Sequence, residues 1–247
     1  MSAAEMPVRI SKLLSERGIC SRREADDFIA RGLVLVDGTR VAQLGERVLP
    51  TQSLALDPRA RGELGEQVTV LLNKPLGYVS GQAEEGYTPA VALIGADSRF
   101  ARDRSPLAFT TAHLLGLAPA GRLDIDSTGL LVLTQNGTIA KQLVGGEGAI
   151  EKEYLVRVTG AITPNGLRLL NHGLELDRRV LRPAKVTQEG PGELRFILWE
   201  GRKRQIRRMC NLVGLDVVAL KRIRIGKVRL GNLPYGRWRY LAPNENF

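Results

Sequence analysis

The chain has 247 residues, of which 43% are hydrophobic and 25% charged, and its net charge is +10 with a pI near 10.0. This composition is typical of a globular protein with one large or two ordinary domains, and it excludes an intrinsically disordered chain. The basic excess favours a polyanionic partner, and nucleic acid fits better than an anionic membrane surface.

Residues 9–49 predict a small domain made of two helices and a β-hairpin. Apolar residues recur at helical spacing over residues 10–14, and a glycine follows them. Ser21 and Glu24 have the spacing of a capping box and predict the start of a second helix. The stretch LVLVDGTRV at 33–41 then predicts two short strands joined by an Asp-Gly turn.

Basic residues are concentrated in this small domain. They are Arg9, Lys12, Arg17, Arg22, Arg23, Arg31 and Arg40. On an isolated helix such charges usually form a solvated face balanced by acidic neighbours. Because the whole chain is basic, we interpret them as contacts to phosphate groups. The positions predicted to bind RNA are Arg9, Lys12, Arg22 and Arg23.

The remainder of the chain is predicted to be a second, larger domain. Residues 50–66 mix proline, glycine and charge without a period and are interpreted as a linker. The domains are therefore expected at 1–62, including the linker, and at 63–247. Strands are predicted at 68–72, 129–134, 153–159, 193–199 and 222–230, and helices at 164–171 and 203–213. Few helices among many strands predict an α+β fold with a mostly antiparallel mixed sheet.

The segment 81–117 has the least regular pattern of the chain. It is expected to be a loop with one or two helical turns, and no function is assigned to it.

Four stretches of the larger part combine charged residues with turn and strand patterns. They are NKPLG at 73–77, GRLDIDSTG at 121–129, EKEYLV at 151–156 and EGRKRQIRRM at 200–209. The second stretch resembles a calcium loop faintly, since Asp124 and Asp126 alternate before a glycine. We reject calcium because Gln135 stands where such a loop needs a bidentate glutamate.

The fourth stretch is the densest positive patch of the chain. Its cations are Arg202, Lys203, Arg204, Arg207 and Arg208. Five charges so close together repel one another, which favours a polyanion over water as the partner. The tail from Lys221 to Tyr240 contains no acidic residue and alternates basic with apolar residues. We interpret that alternation as a strand with a cationic face.

The sequence has no pattern that is typical of a metal site or of a membrane span. Cys20 and Cys210 lie far apart and are expected to be free thiols in a reducing compartment. Two cysteines and the single histidines His113 and His172 do not form a zinc pattern. No stretch approaches the ~18 consecutive apolar residues of a membrane span, and the N-terminus lacks the apolar core of a signal peptide. A cytoplasmic protein without a metal site is therefore predicted.

Together the four stretches resemble the RsuA family of ribosomal RNA pseudouridine synthases, which includes the RluB and RluF branches. The family has the same motifs in the same order, and the RluF branch is the most similar. Residues 9–38 resemble the S-four-type RNA-binding domain that precedes the catalytic domain in most members. The resemblance covers nearly the whole chain and implies the pseudouridine synthase fold.

The resemblance implies roles for three residues. Asp124 corresponds to the catalytic nucleophile of the family, and a carboxylate suits either covalent attack or stabilisation of an oxocarbenium ion. Arg122 corresponds to the residue that fills the gap left by the flipped-out uridine. Tyr154 corresponds to the tyrosine that stacks under the uracil and is expected to act as the general base.

Further roles concern the charges around the nucleophile. Arg207 is the first choice, and Arg204 the second, for a cation that pairs with Asp124 and keeps it ionised. Lys74 is expected to bind RNA and to contribute to the electrostatics of the site, and Asp126 to have a structural or supporting role. Two further expectations concern Ile206, which would form an apolar wall, and the cations Arg202, Lys203 and Arg208, which would bind RNA.

Isomerisation of uridine involves no net redox change, so no cofactor or metal is expected. The expected partner is ribosomal RNA, with the 23S RNA favoured and the 16S RNA left open, and the protein is expected to be a monomer. Two other classes remain as alternatives. The first is a non-catalytic RNA-binding protein of ribosome assembly, and the second, weaker one is a DNA-binding regulator.

Overall fold

The computed structural model describes residues 6–81, 86–144 and 150–247. The described residues of the N-terminal part form three α-helices and five short strands. These are β1 Val8–Arg9, α1 Ile10–Glu16, α2 Arg22–Ala30, β2 Val34–Val36, β3 Thr39–Val41, β4 Arg47–Val48, β5 Leu54–Leu56 and α3 Pro58–Gly65.

The larger part is built mainly from strands. Its first elements are β6 Thr69–Lys74, β7 Tyr78–Val79, β8 Thr88–Pro89, β9 Ala118–Pro119, β10 Thr128–Thr134, α4 Gly137–Val144 and β11 Lys152–Thr159. The elements that follow are α5 Pro164–Asn171, β12 Glu175–Leu176, β13 Arg179–Val180, β14 Lys185–Gly190, β15 Glu193–Leu198, α6 Gln205–Leu212, β16 Asp216–Ile225, β17 Val228–Arg229 and β18 Trp238–Tyr240.

The N-terminal part has the predicted helix–helix–hairpin arrangement. The capping box is present, because the Ser21 hydroxyl accepts from the backbone N–H of Glu24 and the Glu24 carboxylate accepts from that of Ser21. Helix α2 packs Phe28 and Ile29 against α1 and the hairpin β2–β3, in a core that is separate from those of the larger part. The local sequence signals and the tertiary structure agree in this region.

The predicted linker at 50–66 is wrong, because this segment is folded. Strand β5 pairs with β2, and Asp57 caps the helix α3 that follows it. Ala60 of that helix belongs to the core of the N-terminal part. The expected domain boundary after residue 62 would cut α3, so we propose that the boundary lies after residue 66.

Nine described strands form the main sheet of the larger part. The order is β14–β15–β11–β16–β10–β6–β18, with β9 beside β10 and β17 beside β16. Strands β10 and β16 run parallel, and the other pairs in this sheet are antiparallel. The mostly antiparallel mixed sheet of an α+β fold is therefore confirmed.

Strand β10 explains the uninterrupted apolar run after GRLDIDST. Leu131 and Leu133 belong to the core on one side of the sheet, whereas Leu130 and Val132 belong to the core on the other side. A strand that is covered on both faces needs apolar side chains at every position rather than at alternate ones. The residues just before it therefore stand at the edge of a rigid, buried element.

Several elements were not predicted. Helix α4, strand β14 and strand β18 were missed, and the described residues of the segment 81–117 form three short 3-10 helices rather than one or two helical turns. Residues 82–85 of that segment lie outside the described residues.

Helix α4 of the larger part packs against the N-terminal part. A Cβ on Gly137, its first residue, would lie 2.3 Å from the Cβ of Ser21, so only glycine fits this approach. The Lys141 ammonium donates to the backbone oxygen and the hydroxyl of Ser15 at 3.2 and 3.1 Å. The α4 residues Leu143 and Val144 reach the cleft described below. The position of the N-terminal part is therefore linked through one helix to that cleft.

Both cysteines are buried free thiols, as predicted. Burial raises the pKa of the Cys20 thiol and that of the Cys210 thiol to about 12. None of the helices in the described part of the chain has the length and hydropathy to cross a bilayer.

Candidate active site

Asp124 lies in a turn that immediately precedes β10. The turn closes when the backbone N–H of Ser127 donates to the Asp124 carbonyl at 3.0 Å. The stretch after β6 holds it in place. The backbone N–H of Gly77 donates to the Ile125 carbonyl at 3.1 Å, and the Ser80 hydroxyl bonds both backbone groups of Leu123. The motif NKPLG is therefore a structural support for the motif that carries Asp124.

Strand β16 supplies a buried arginine beside this turn. Arg222 is only 2% exposed, and its guanidinium donates to the Leu130 carbonyl at 2.7 Å and to the Arg122 carbonyl at 3.2 Å. Gly129 makes this approach possible, because it has a φ of +102° and a Cβ there would lie 2.2 Å from the Arg222 carbonyl oxygen. Gly129 thus allows strand β16, which carries Arg222, to pack closely against the Asp124 turn.

Tyr154 lies on β11, directly opposite Arg222 across the antiparallel pair β11–β16. It is 9% exposed and borders a cleft of about 560 Å³ that also reaches Asp124 and Arg222. The other residues lining this cleft are Gly121, Arg122, Leu123, Ser127, Leu143, Val144, Lys152, Leu198, Glu200, Gly201, Arg202, Lys203, Arg204, Gln205, Ile206 and Leu220. Residues from all three motifs after NKPLG therefore meet in one cleft.

The arginines of RQIRR pair with a different aspartate from the predicted one. Arg204 forms two hydrogen bonds with the Asp126 carboxylate, at 3.2 and 2.9 Å, and Arg207 lies 3.3 Å from the same carboxylate. Arg207 also donates to the Asp126 carbonyl at 2.8 Å. The predicted pairing of Arg207 or Arg204 with Asp124 is therefore wrong, because both side chains are used two residues further along the chain.

The Asp126 cluster ties helix α6 to the turn. Burial acts to raise the pKa of Asp126, but the hydrogen bonds of Arg204 and the charge of Arg207 outweigh it, so that the pKa is below its usual value. Arg204 has a left-handed backbone, with φ of 51°, just before α6. A non-glycine residue adopts this conformation at a cost of order 1–3 kcal/mol. Asp126 has the structural role expected of it.

Lys74 is a buried charge rather than an RNA contact. It is 0% exposed and does not line the cleft, and its ammonium donates to the carbonyls of Pro75 and Tyr78, each at 2.9 Å. Burial lowers the pKa of Lys74 to about 8, against the charges of Asp126 and Asp124, which act to raise it. The prediction that Lys74 binds RNA is therefore wrong, whereas its electrostatic contribution is exerted from inside the protein.

The depressed pKa of Lys74 predicts a pH-dependent stability. The folded protein releases this proton above about pH 8, whereas the unfolded chain keeps it to about pH 10.4, so stability rises with pH between these values. We expect the unfolding free energy of the wild type minus that of Lys74→Met to increase by an amount on the order of 1–3 kcal/mol between about pH 7 and pH 10. Urea titrations check this, with Lys185→Met, at an exposed lysine, as the control, and a constant difference contradicts it.

The other predicted RNA-binding residues are in two different situations. Arg202 donates to the carbonyls of Leu176, Arg179 and Val180, and Arg208 forms two hydrogen bonds with Asp177. These two guanidinium groups are thus used within the protein. Four other predicted RNA-binding residues have exposed side chains that form no hydrogen bond or ion pair with the described chain. They are Arg9, Arg22, Arg23 and Lys203. The exposed ammonium of Lys12 lies 3.5 Å from the Glu16 carboxylate.

Two basic residues of the cleft were not predicted as site residues. Arg222 was interpreted as part of a cationic strand face, but it is buried beside the Asp124 turn. A register shift between β11 and β16 places it opposite Tyr154, and strict alternation in the sequence does not reveal such a shift. Lys152 precedes Tyr154 by two residues and lines the same cleft. The strand pattern around Tyr154 was the available signal for Lys152.

The chemistry of the cleft comes from a carboxylate, a phenol and several cations. The described residues contain no group of three or more His, Cys, Asp or Glu side chains that is placed to hold a metal ion. A carboxylate in a partly enclosed cleft is suited to attack an electrophilic carbon, and a phenol to move a proton. The cations suit a polyanionic substrate.

Comparison with known proteins agrees with this geometry. Residues 68–212 match the family model described as RNA pseudouridylate synthase, and residues 8–53 match the S4 domain. The chain is 37% identical over 243 residues to the dual-specificity RNA pseudouridine synthase RluF of Escherichia coli K12, covering 96% of this chain and 77% of that protein. It is 33% identical to an uncharacterized RNA pseudouridine synthase of Aquifex aeolicus, covering 97% and 92%.

A solved structure shows the same fold. The crystal structure of a pseudouridylate synthase superposes with a TM-score of 0.64 at 24% identity, covering 95% of this chain and 96% of that one.

Proposed function

The chain belongs to the RNA pseudouridylate synthase family and carries an S4 domain, and from this premise we propose that it isomerises a specific uridine of ribosomal RNA, in the large-subunit RNA, to pseudouridine. It is an isomerase and it binds RNA. The target is favoured by the similarity to RluF proteins over 96% of the chain. The 16S RNA is the alternative target, and the site of action is the cytoplasm.

We assign the role of nucleophile to Asp124. In the reaction the bond between N1 and C1′ breaks, a bond between C5 and C1′ forms, and the proton on C5 is lost while N1 gains one. A carboxylate attacks or stabilises the electron-poor centre that develops when the first bond breaks. The observation that carries this assignment is the meeting of Asp124, Tyr154 and the buried Arg222 in one cleft.

Tyr154 and Arg122 complete the proposed mechanism. Tyr154 stacks on the uracil and removes the C5 proton, because its ring is almost fully buried while it still borders the cleft. Arg122 is exposed at the cleft beside Asp124, where it can occupy the space that a flipped-out uridine leaves. The reaction needs no cofactor or metal, and the proposed enzyme acts as a monomer.

The S4 domain is proposed to clamp the RNA. We expect the double variant Arg22→Ala/Arg23→Ala to bind ribosomal RNA about tenfold more weakly and with a smaller salt dependence, since each lost phosphate contact lowers the slope of log K against log salt by about 0.7–0.9. The rate at saturating RNA should be unchanged, since these residues lie outside the cleft lining. Filter binding and single-turnover assays check this, and a slower rate at saturation contradicts it.

The direct test is a pseudouridine map. Ribosomal RNA and precursor subunits are treated with the protein, labelled with a carbodiimide and analysed by primer extension, because isomerisation leaves the mass unchanged. One new stop that requires Asp124 supports the proposal and identifies the uridine. Stops on the small-subunit RNA alone would replace the target, and no stop on any substrate would favour a protein that only binds RNA.

A further inference from the structure

Lys152 is a cation of the cleft to which the proposed mechanism gives no role. It begins β11, and because alternate residues of a strand share a face, it lies on the same side as Tyr154. Both side chains line the cleft. Within the described chain, the ammonium of Lys152 has a single hydrogen bond, to the Ile150 carbonyl at 3.4 Å, and it has no carboxylate within 4.0 Å. Its bonding capacity of three donors is largely unused.

A second cation with unused bonding capacity lines the same cleft. Arg222 is 2% exposed, and its Nη2 atom has no hydrogen-bond partner among the described residues. Burial lowers the pKa of Lys152, and the charge of Arg222 lowers it further, so the two positive groups act on one another. A half-buried and a fully buried cation that share one cleft and have unpaired donors are costly. Such a pair is favourable when a bound anion completes it.

The carboxylates near the cleft do not balance both of these positive charges. Asp126 is already held by Arg204 and Arg207, which leaves Asp124 as the one acidic group of its turn that remains for both cations. An RNA substrate adds negative charge only through its phosphates, because uracil and ribose are uncharged near neutral pH. A uridine that leaves its stack carries its own phosphodiester into the cleft with it.

We propose that Lys152, with the unpartnered nitrogen of Arg222, binds the phosphate group of the target nucleotide and so holds its ribose against Asp124. The inference rests on the proposed function, since it requires an RNA substrate whose uridine enters this cleft. A phosphate bound by both cations would restrain the ribose to which it is covalently joined, whereas stacking on Tyr154 restrains only the base.

The test combines charge removal in the protein with charge removal in the RNA. Lys152→Met keeps the apolar stem, Lys152→Arg keeps the charge, and Lys185→Met removes an exposed lysine outside the cleft lining as a matched control. The substrate is an RNA fragment containing the mapped uridine. Two further fragments carry a neutral methylphosphonate on the 5′ or the 3′ side of that uridine. Dissociation constants at several salt concentrations and single-turnover rates are measured for each pair.

We expect Lys152→Met to weaken binding about tenfold and to reduce the slope of log K against log salt by about 0.7, the value for one phosphate of single-stranded RNA. Lys152→Arg should restore most of the affinity, and Lys185→Met should match the wild type. One of the two methylphosphonates should weaken the wild type by a similar factor and have no further effect on Lys152→Met.

Two results would overturn the inference while the enzyme still forms pseudouridine. The first is an unchanged salt slope in Lys152→Met, and the second is a wild type that tolerates both methylphosphonates. The second result needs no variant, so it remains decisive even if Lys152→Met does not fold. A wild type that forms no pseudouridine on any ribosomal RNA would instead refute the proposed function.

Discussion

Asp124→Asn is expected to abolish isomerisation, with a rate at least about ten-thousand-fold below that of the wild type. An amide has nearly the shape of the carboxylate but cannot attack the sugar or the ring, nor balance a positive centre. The turn should persist, because it is held by backbone groups of Ser127 and Gly77 and by the Ser80 hydroxyl. RNA affinity is therefore expected to stay within a few-fold. Single-turnover assays and filter binding measure the two quantities.

Asp126→Asn is the matched control for this substitution, two residues further along the same turn. It weakens the ion pairs with Arg204 and Arg207, so some loss of stability and of rate is expected, but product should still form. If Asp124→Asn turned over normally, Asp124 would not be the nucleophile. If both variants lost activity to the same degree, the loss would reflect damage to the turn rather than to the chemistry.

Among glycine-to-alanine substitutions in the larger part, Gly129→Ala is expected to lower the unfolding free energy the most. The added Cβ would lie 2.2 Å from the carbonyl oxygen and 2.7 Å from the amide nitrogen of Arg222, and the residue has a φ of +102°. Both contacts are with backbone, so strand β16 has to move. Overpacking and the positive φ together should lower the unfolding free energy by about 2–5 kcal/mol.

The same substitution should reduce activity in the protein that remains folded. A shift of β16 breaks the bonds from Arg222 to the Leu130 and Arg122 carbonyls, which hold the Asp124 turn. Turnover is measured at a temperature well below the melting transition of the variant, which separates the two effects. Gly62→Ala is the control, because that helical position has nothing within 4 Å of an added Cβ, and it should be neutral or slightly stabilising. Full stability in Gly129→Ala would contradict the close approach.

Much of this protein was readable from local sequence. The capping box of Ser21 and Glu24 specifies where α2 begins, since both partners lie within one turn of helix. The apolar run after residue 128 predicts a buried strand, and helix α5 was predicted with its observed bounds at 164–171. Such signals depend on neighbours in the chain, so no knowledge of the tertiary structure is needed. The four motifs and their order were sufficient to identify the family.

The tertiary structure alone decided which charges meet. Arg207 of helix α6 pairs with Asp126 and not with Asp124. Arg222 of strand β16 donates to the backbone of the turn that carries Asp124. The partners are 81 and 100 residues apart, and a register shift that no local pattern encodes sets the position of Arg222. The sequence by itself therefore determined many of the elements and the residue types of the site. The pairing of those residues followed from how helix α6 and the strands pack, because charges interact across space whatever their separation along the chain.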